Sequence, residues 1–296
     1  MTSSLPVFRV GAARITGIFE TAFSLPASRL FPDWDATAGA ELAAKLSPAS
    51  FDRSSGLVGL QTHLWVVELD GLTIVVDTGI GNDKTRAFSP LFDRLSNPVL
   101  ERLSAAGFDR RRVDYVFNTH LHVDHVGWNT FREGERWVPV FPNATYVFAR
   151  REREYFDTGS GAARRMVFED SVLPLFDAGL VHEVPDGGDQ ILDGIRFMPT
   201  PGHSAGHMAI SITSQGETAL FSGDVMHSPV QVYRPEWCSA FCLDPVQAGV
   251  SRRSLLDLAV ETGTTVFPAH FPEGSAGKVV RGADGLTWQY LMPTPR

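Results

Sequence analysis

The six residues His120-Leu121-His122-Val123-Asp124-His125 constrain this chain more than any other part of it. Three imidazoles and a carboxylate stand there, directly after the mostly apolar run Val113-Asp114-Tyr115-Val116-Phe117. A strand that stops at such a cluster delivers nitrogen and oxygen donors to one point at a sheet edge. The fold must then bring other strand ends to the same point, because a rigid scaffold assembles a site from distant segments in this way.

Three more segments meet that requirement. Pro201-Gly202-His203-Ser204-Ala205-Gly206-His207 lies on a turn between two strands, Phe221-Ser222-Gly223-Asp224 ends a strand on a carboxylate, and Phe267-Pro268-Ala269-His270 ends another on an imidazole. Two metal ions fit this inventory. One takes His120, His122 and His203; the other takes Asp124, His125 and His270; the two oxygens of Asp224 bridge them. Each ion keeps room for water, which marks a catalytic rather than a closed structural site. Donors of nitrogen and oxygen alone make zinc the default divalent ion, with manganese, iron and cobalt also suited.

The rest of the chain supplies strands in runs, with helices between and after them. Leu57–Glu68 and Leu72–Asp77 read as strands joined by Asp70-Gly71, a hairpin signal. Val7–Glu20 reads as a strand or hairpin, and Ala144–Phe148, Val181–Val184, Ile191–Met198, Met208–Thr213, Thr218–Ser222, Thr265–Pro268 and Leu286–Leu291 read as further strands. Helices are expected at Pro98–Gly107, from Arg150, at Ala162–Phe176 and at Val246–Gly263. Residues 21–56, broken by Pro26, Pro32 and Pro48 and studded with Phe31, Trp34 and Phe51, read as an inserted lid or interface segment with a short helix near Ala38–Leu46. The expected fold is α+β: one domain over 1–296, a four-layer αββα sandwich rather than a doubly wound parallel sheet.

The donor set resembles the metallo-β-lactamase superfamily: a His-x-His-x-Asp-His signature, a later His, a bridging Asp and a final His, in family order over nearly the whole chain. Val75-Val76-Asp77-Thr78-Gly79 is similar to an early strand-and-turn motif of that family, which implies that Asp77 orients metal ligands by hydrogen bonding. The resemblance implies a dinuclear hydrolytic site. Within the superfamily the layout is most similar to the branch of quorum-quenching lactonases and methyl-parathion-hydrolase-like enzymes. The run Gly223–His227, a Gln-Val strand at Gln231–Tyr233 and Ala269-His270-Phe271-Pro272 carry that likeness. Lactonases of this branch often place a Tyr three residues after the bridging Asp; His227 stands there in this chain.

A hydroxide held between two divalent ions is a nucleophile near neutral pH. The expected reaction is hydrolysis of a small-molecule lactone, carboxylic ester or aryl phosphotriester, with Asp124 as proton shuttle and His227 as a hydrogen-bond donor to substrate. Trp128, Tyr233 and Trp237 are candidate pocket walls, and Phe31, Trp34, Phe51, Phe88 and Phe92 a candidate apolar lid. His63 and His182 are expected to be structural. An iron-dependent oxidoreductase on the same scaffold and a non-catalytic metal-dependent binder are the alternative functions.

Composition bounds the partners. A net charge of -8 and a pI near 5.6 argue against nucleic acid and against an anionic membrane surface. The stretch from Met1 to Arg9 lacks a basic region followed by an apolar one, so a cytoplasmic location is expected. The aromatic N-terminal insertion suits a homodimer contact. Cys238 and Cys242 lie in Trp237–Leu243, which reads as extended; four residues of strand put about 13 Å between them, so two free thiols are expected.

Overall fold

The computed structural model describes residues 6–294; Met1–Leu5 of the N-terminal stretch weighed above lie outside the described residues. Two sheets face each other. The first runs, in spatial order, Val7–Val10, Ala13–Pro26, Leu57–Leu69, Leu72–Val76, Tyr115–Phe117, Thr145–Ala149 and Val181–Val184, with the short strand Phe51–Asp52 beside Leu57–Leu69. The second runs Asp189–Leu192, Ile195–Pro199, Met208–Ser214, Glu217–Gly223, Thr265–Pro268, Gly277–Gly282 and Gly285–Tyr290.

Period-2 side-chain alternation builds the layers. Trp65, Val67, Ile74, Val76 and Phe117 of the first sheet meet Phe197, Ile210, Ala219, Phe221 and Phe267 of the second in a central core. Their neighbours Leu64, Val66, Val75 and Val116 face outward onto Val99, Leu103, Val167, Phe168 and Leu175 of covering helices. On the far side Leu220, Val266 and Val279 meet Leu255, Leu256 and Ala259 of the helix Pro245–Thr262. Asp244 caps that helix by accepting from the Gln247 amide at 3.0 Å, and Gly263, at φ 64°, ends it. This is the αββα sandwich that the sequence predicts. The hairpin signal also holds: Asp70 and Gly71 take φ of 51° and 82°, the left-handed pair that a two-residue turn between twisted strands requires.

Four readings of local structure need correction. Residues 21–26 are not part of an insertion: they continue a 14-residue strand paired as far as Pro26 opposite Leu57, and Pro26 ends the ladder where its missing N–H costs nothing. The stretch Ala162–Phe176 is not one helix but a short turn and the helices Arg165–Ser171 and Leu173–Asp177, because Pro174 forces a restart. Val230–Tyr233 is a helical turn rather than a Gln-Val strand, entered through Pro229. Trp237–Leu243 is coiled rather than extended, with the Cys242 amide donating to the Ser239 carbonyl at 3.1 Å, so the spacing of an extended strand does not apply to the two cysteines. A hairpin at Thr130–Pro139 and the strand Gly277–Gly282 carry too little alternation to be read from sequence.

Candidate metal centre

Parallel strands Leu72–Val76, Tyr115–Phe117 and Thr145–Ala149 end together, and each releases a loop at the same edge. Asp77 follows the first in the left-handed region, φ 50°. There its carboxylate accepts from the Thr119 amide at 2.8 Å, from the Thr119 hydroxyl at 2.9 Å and from His125 Nδ1 at 2.9 Å. Thr119 Oγ1 in turn lies 3.0 Å from His120 Nδ1. The Nδ1 atoms of His120 and His125 are thus engaged, and their Nε2 atoms turn toward the centre. His270 is fixed the same way: its Nδ1 donates to the Gln61 carbonyl at 2.9 Å.

Asp224 is held by its own backbone. Its amide donates to His207 Nε2 at 3.0 Å, and His207 Nδ1 pairs with Thr200 Oγ1 at 2.8 Å, so both ring nitrogens of His207 are taken and the ring positions Asp224. Gly223 precedes it at φ 48°; a Cβ there would lie 2.6 Å from His207 Nε2 and from Thr119 Oγ1, which leaves room for glycine only.

Asp224 then divides its two oxygens. Oδ1 lies 3.3 Å from His125 Nε2 and 3.0 Å from His270 Nε2; Oδ2 lies 3.2 Å from His203 Nε2 and 3.9 Å from His120 Nε2. Asp124 completes the first set, with Oδ2 3.5 Å from His270 Nε2, and His122 the second, with Nδ1 2.8 Å from His203 Nε2. The groups His120, His122, His203 and Asp124, His125, His270 each gather their donor atoms within 4.8 Å, as do His120, His125, Asp224 and His203, Asp224, His227. His120 Nε2, His125 Nε2 and Asp224 Oδ1 are buried and make no hydrogen bond. Buried polar atoms without partners are rare and costly, and a cation on each side of Asp224 satisfies all three. The donor set fits two divalent ions.

Burial and neighbouring charge of the opposite sign act on these groups in opposite directions. Burial, and then the neighbouring imidazoles, hold His120 well below the usual histidine range; burial does the same for His203. These rings are neutral donors near pH 7. Burial also opposes charge on His125, but the carboxylates of Asp224, Asp77 and Asp124 outweigh it and lift the ring well above that range. Burial works against an ionised Asp224 too, yet His270 and His125 hold its carboxyl well below the carboxylate range.

Two buried acids, absent from the sequence reading, tie the loops together. Glu152 accepts from the Leu121 amide at 2.9 Å and the Gly206 amide at 2.6 Å, one oxygen for each ligand loop. Glu20 accepts from the Ile80 and Gly81 amides at 2.7 and 3.0 Å and from Trp128 Nε1 at 2.7 Å. In sequence they are lone carboxylates, one in an exposed-looking charged helix and one at a strand end, with no spacing to set them apart.

The centre floors a cleft of ≈ 470 Å³. His122, Asp124, His203, Asp224, His227 and His270 line the bottom, and Phe23, Leu25, Phe88, Phe92, Val123 and Phe241 are among the walls, with Arg29 and Arg164 at the side. His227 Nε2 lies 3.2 Å from Asp224 Oδ2 and 3.3 Å from Ser239 Oγ. Of the expected substrate contacts His227, Phe88 and Phe92 line the cleft. Trp128 is turned away by its hydrogen bond to Glu20. Phe31, Trp34, Phe51, Tyr233 and Trp237 instead bury one another: Phe31 is fully buried, and the Trp34 and Trp237 rings lie 5.4 Å apart. Those aromatics seat the inserted segment on the sandwich, a larger apolar gain than exposure in a cleft gives.

The fold and these strand-end donors belong to one family. Residues 57–270 match the model of the metallo-beta-lactamase superfamily, and the chain is a member of it. Among proteins of known activity it is similar to the N-acyl homoserine lactonase AttM of Rhizobium johnstonii, 28% identical over 62% of this chain and 67% of that one. It is also similar to an N-acyl homoserine lactonase of Bacillus thuringiensis, 25% identical over 58% of this chain and 66% of that one, so the matches span about two thirds of these relatives' length. In fold it resembles the hydrolase AbOPH, TM-score 0.81 at 23% identity over 100% of this chain and 99% of that one. The dizinc quorum-quenching lactonase AidC, solved with a product, gives 0.76 at 20% identity over 99% and 98%. Among the described residues no helix is long and apolar enough to cross a membrane.

Proposed function

We propose that this chain is a dinuclear zinc hydrolase of small lactones that carry an apolar arm, with carboxylic esters and aryl phosphotriesters as related electrophiles. The observation that carries the reading is the division of Asp224, one oxygen toward His125 and His270 and the other toward His203 and His120. His120, His122 and His203 would hold one ion, Asp124, His125 and His270 the other, with Asp224 shared. When bound, two such ions supply Lewis acidity to the electrophile's oxygen and make water a competent nucleophile near neutral pH.

The chain's own groups do the rest. Asp124 lines the cleft and stands at the edge of the donor set, so one of its oxygens is free to take the proton of the attacking water and return it to the leaving alkoxide. His227, braced by Ser239 and by its own amide donating to Gln231 Oε1 at 2.7 Å, presents an imidazole to the substrate's polar end. The apolar walls, Phe23, Leu25, Phe88 and Phe92 among them, take an acyl or aryl arm and exclude water from around it. The activity of the lactonase relatives agrees with this chemistry.

The test is elemental analysis of the purified protein followed by a panel of N-acyl lactones, p-nitrophenyl esters and a phosphotriester. About two zinc ions per chain and turnover of acyl lactones, abolished by chelation and restored by zinc, are expected. Two ions without turnover of any of these would refute the substrate class; stoichiometric iron with redox activity would refute the hydrolase.

A further inference from the structure

Above its floor the cleft carries charge of one sign. Arg29 and Arg164 are the charged side chains that line it there; Asp124 and Asp224 belong to the candidate donor set. Acids outnumber bases in this chain, 34 to 26, so a wall with two guanidiniums and no carboxylate runs against its composition. Both guanidiniums are also uncommitted. Among the described residues neither pairs with a carboxylate, whereas the nearby Arg150, Arg153 and Arg165 all do. Arg164 donates to the Ala163 carbonyl at 3.2 Å and lies over the Phe88 ring at 3.9 Å. Arg29 stands on the turn Ala27–Leu30, just after the strand that brings Phe23 and Leu25 to the cleft.

The mount of Arg164 is rigid. Phe88 sits on a loop closed by paired backbone: the Asp83 amide donates to the Leu95 carbonyl at 3.1 Å and the Arg94 amide to the Lys84 carbonyl at 2.8 Å. Within it the fully buried Arg86 grips Asp170 through two nitrogens at 2.6 and 2.8 Å, and the fully buried Lys84 reaches the same carboxylate at 3.3 Å. Asp170 belongs to the helix Arg165–Ser171, which Arg164 precedes. Loop and helix are therefore one unit, and the stack of Arg164 on Phe88 is built into it. A guanidinium held by an aromatic face gives up little freedom on binding and keeps the N–H groups of its edge for a planar acceptor. An arm that is apolar to its end leaves those groups to water; an arm that ends in an anion uses them.

We propose that the substrate's apolar arm ends in a carboxylate, which Arg164 binds and Arg29 attracts. Carboxylate and guanidinium match as two parallel N–H···O bonds, and the aromatic walls take the methylenes between that end and the lactone. This end group rests on the lactone-hydrolase reading and narrows it, from acyl lactones in general to those whose arm carries a negative end. Both arginines are solvent-exposed, so the charge selects by a modest factor rather than an absolute one.

The experiment uses the full zinc-loaded chain and two acyl lactones of equal length, one ending in a carboxylate and one in a carboxamide of the same shape. The carboxylate should be preferred in kcat/KM by about fivefold to tenfold at low salt, chiefly through KM, and less so in about 0.5 M salt. Arg164→Met, which keeps an unbranched stem over Phe88 without charge, should remove most of the preference, and Arg29→Met a smaller share. The ratio is read within each protein, so a variant that merely folds less well leaves it unchanged. Binding of the two matching acyl lactams, read by calorimetry, should show the same order in the same proteins. Equal treatment of the two ends, or a preference for the carboxamide, would overturn the proposal. So would a preference that survives both substitutions, which would put the carboxylate on the metal floor. Failure to open either lactone would sink the hydrolase reading, while the lactam pair still decided the arm.

Discussion

The floor and the rim of the cleft are held by different forces. On the floor each candidate ligand is fixed through its far side: His125 by Asp77, His120 by Thr119, His270 by the Gln61 carbonyl, Asp224 by His207. On the rim, side chains hold one another by packing. Phe23 and Phe92 meet edge to face at 5.8 Å, and the Arg164 guanidinium lies over Phe88 at 3.9 Å. A directional hydrogen bond leaves one permitted position for a donor atom, whereas apolar contact tolerates substitution if volume is kept. On the function proposed, chemistry and choice of substrate reside in separable parts.

The largest effect is expected at the shared carboxylate. Asp224→Ala removes the group that faces both histidine sets and should lower bound metal from about two ions per chain to one or fewer. Losing several kcal/mol of charge stabilisation corresponds to a fall in kcat/KM of about 10³ or more. Elemental analysis beside steady-state kinetics reads both. A full two-ion complement in this variant would mean that the floor does not depend on Asp224.

A smaller effect reaches the floor from beneath. Both ring nitrogens of His63 are buried without partners, and the ring lies edge-on to Trp65 at 4.4 Å. It borders a cavity of ≈ 10 Å³ that also touches Asp77, Asp124 and His270. Burial pushes its pKa from 6.5 down to about 3, so the folded chain keeps it neutral where the unfolded chain takes a proton. Between those values the unfolded state binds more protons, and stability is lost as pH falls through the window. His63→Phe removes this titration and keeps an aromatic ring against Trp65. The stability difference between wild type and variant should then change by up to about 1.4 kcal/mol per pH unit from pH 6.5 toward 3, read from urea midpoints. Parallel curves would show that the ring titrates alike in both states.

The same contrast decides what could be read in advance. A metal ligand must be one of a few residue types, and strand ends allow few spacings; His120, His122, Asp124, His125, His203, Asp224 and His270 therefore stood out, and the structure brings their donor atoms together. The strands were equally visible as the continuous apolar runs Trp65-Val66-Val67 and Ile74-Val75-Val76, whose residues go alternately to two cores. Aromatic residues carry no such restriction. Phe31, Trp34 and Trp237 look like a lid in sequence because each is large and apolar, yet those properties suit a small core better, and that is where they pack. Glu20 and Glu152 were invisible for the converse reason: an acid reads as surface until its backbone partners, 60 and 31 residues away at Ile80 and Leu121, are known. The coil at Trp237–Leu243 is masked in sequence by its β-prone residues, although Pro235 and Pro245 bound it.

The smallest effect belongs to the rim, and it tests the separation most sharply. Phe92 lines the cleft and meets Phe23 edge to face. Phe92→Ala removes part of an apolar wall, a loss of about 1.5 kcal/mol of contact for a substrate long enough to reach it. The kcat/KM for long-chain acyl lactones should fall on the order of tenfold through KM, while kcat and bound metal stay within about twofold. Short-chain lactones, which do not reach the wall, should be unaffected. A fall in metal content, or an equal loss for short and long chains, would show that floor and rim are coupled and that the apolar wall helps to hold the ligand loops in place.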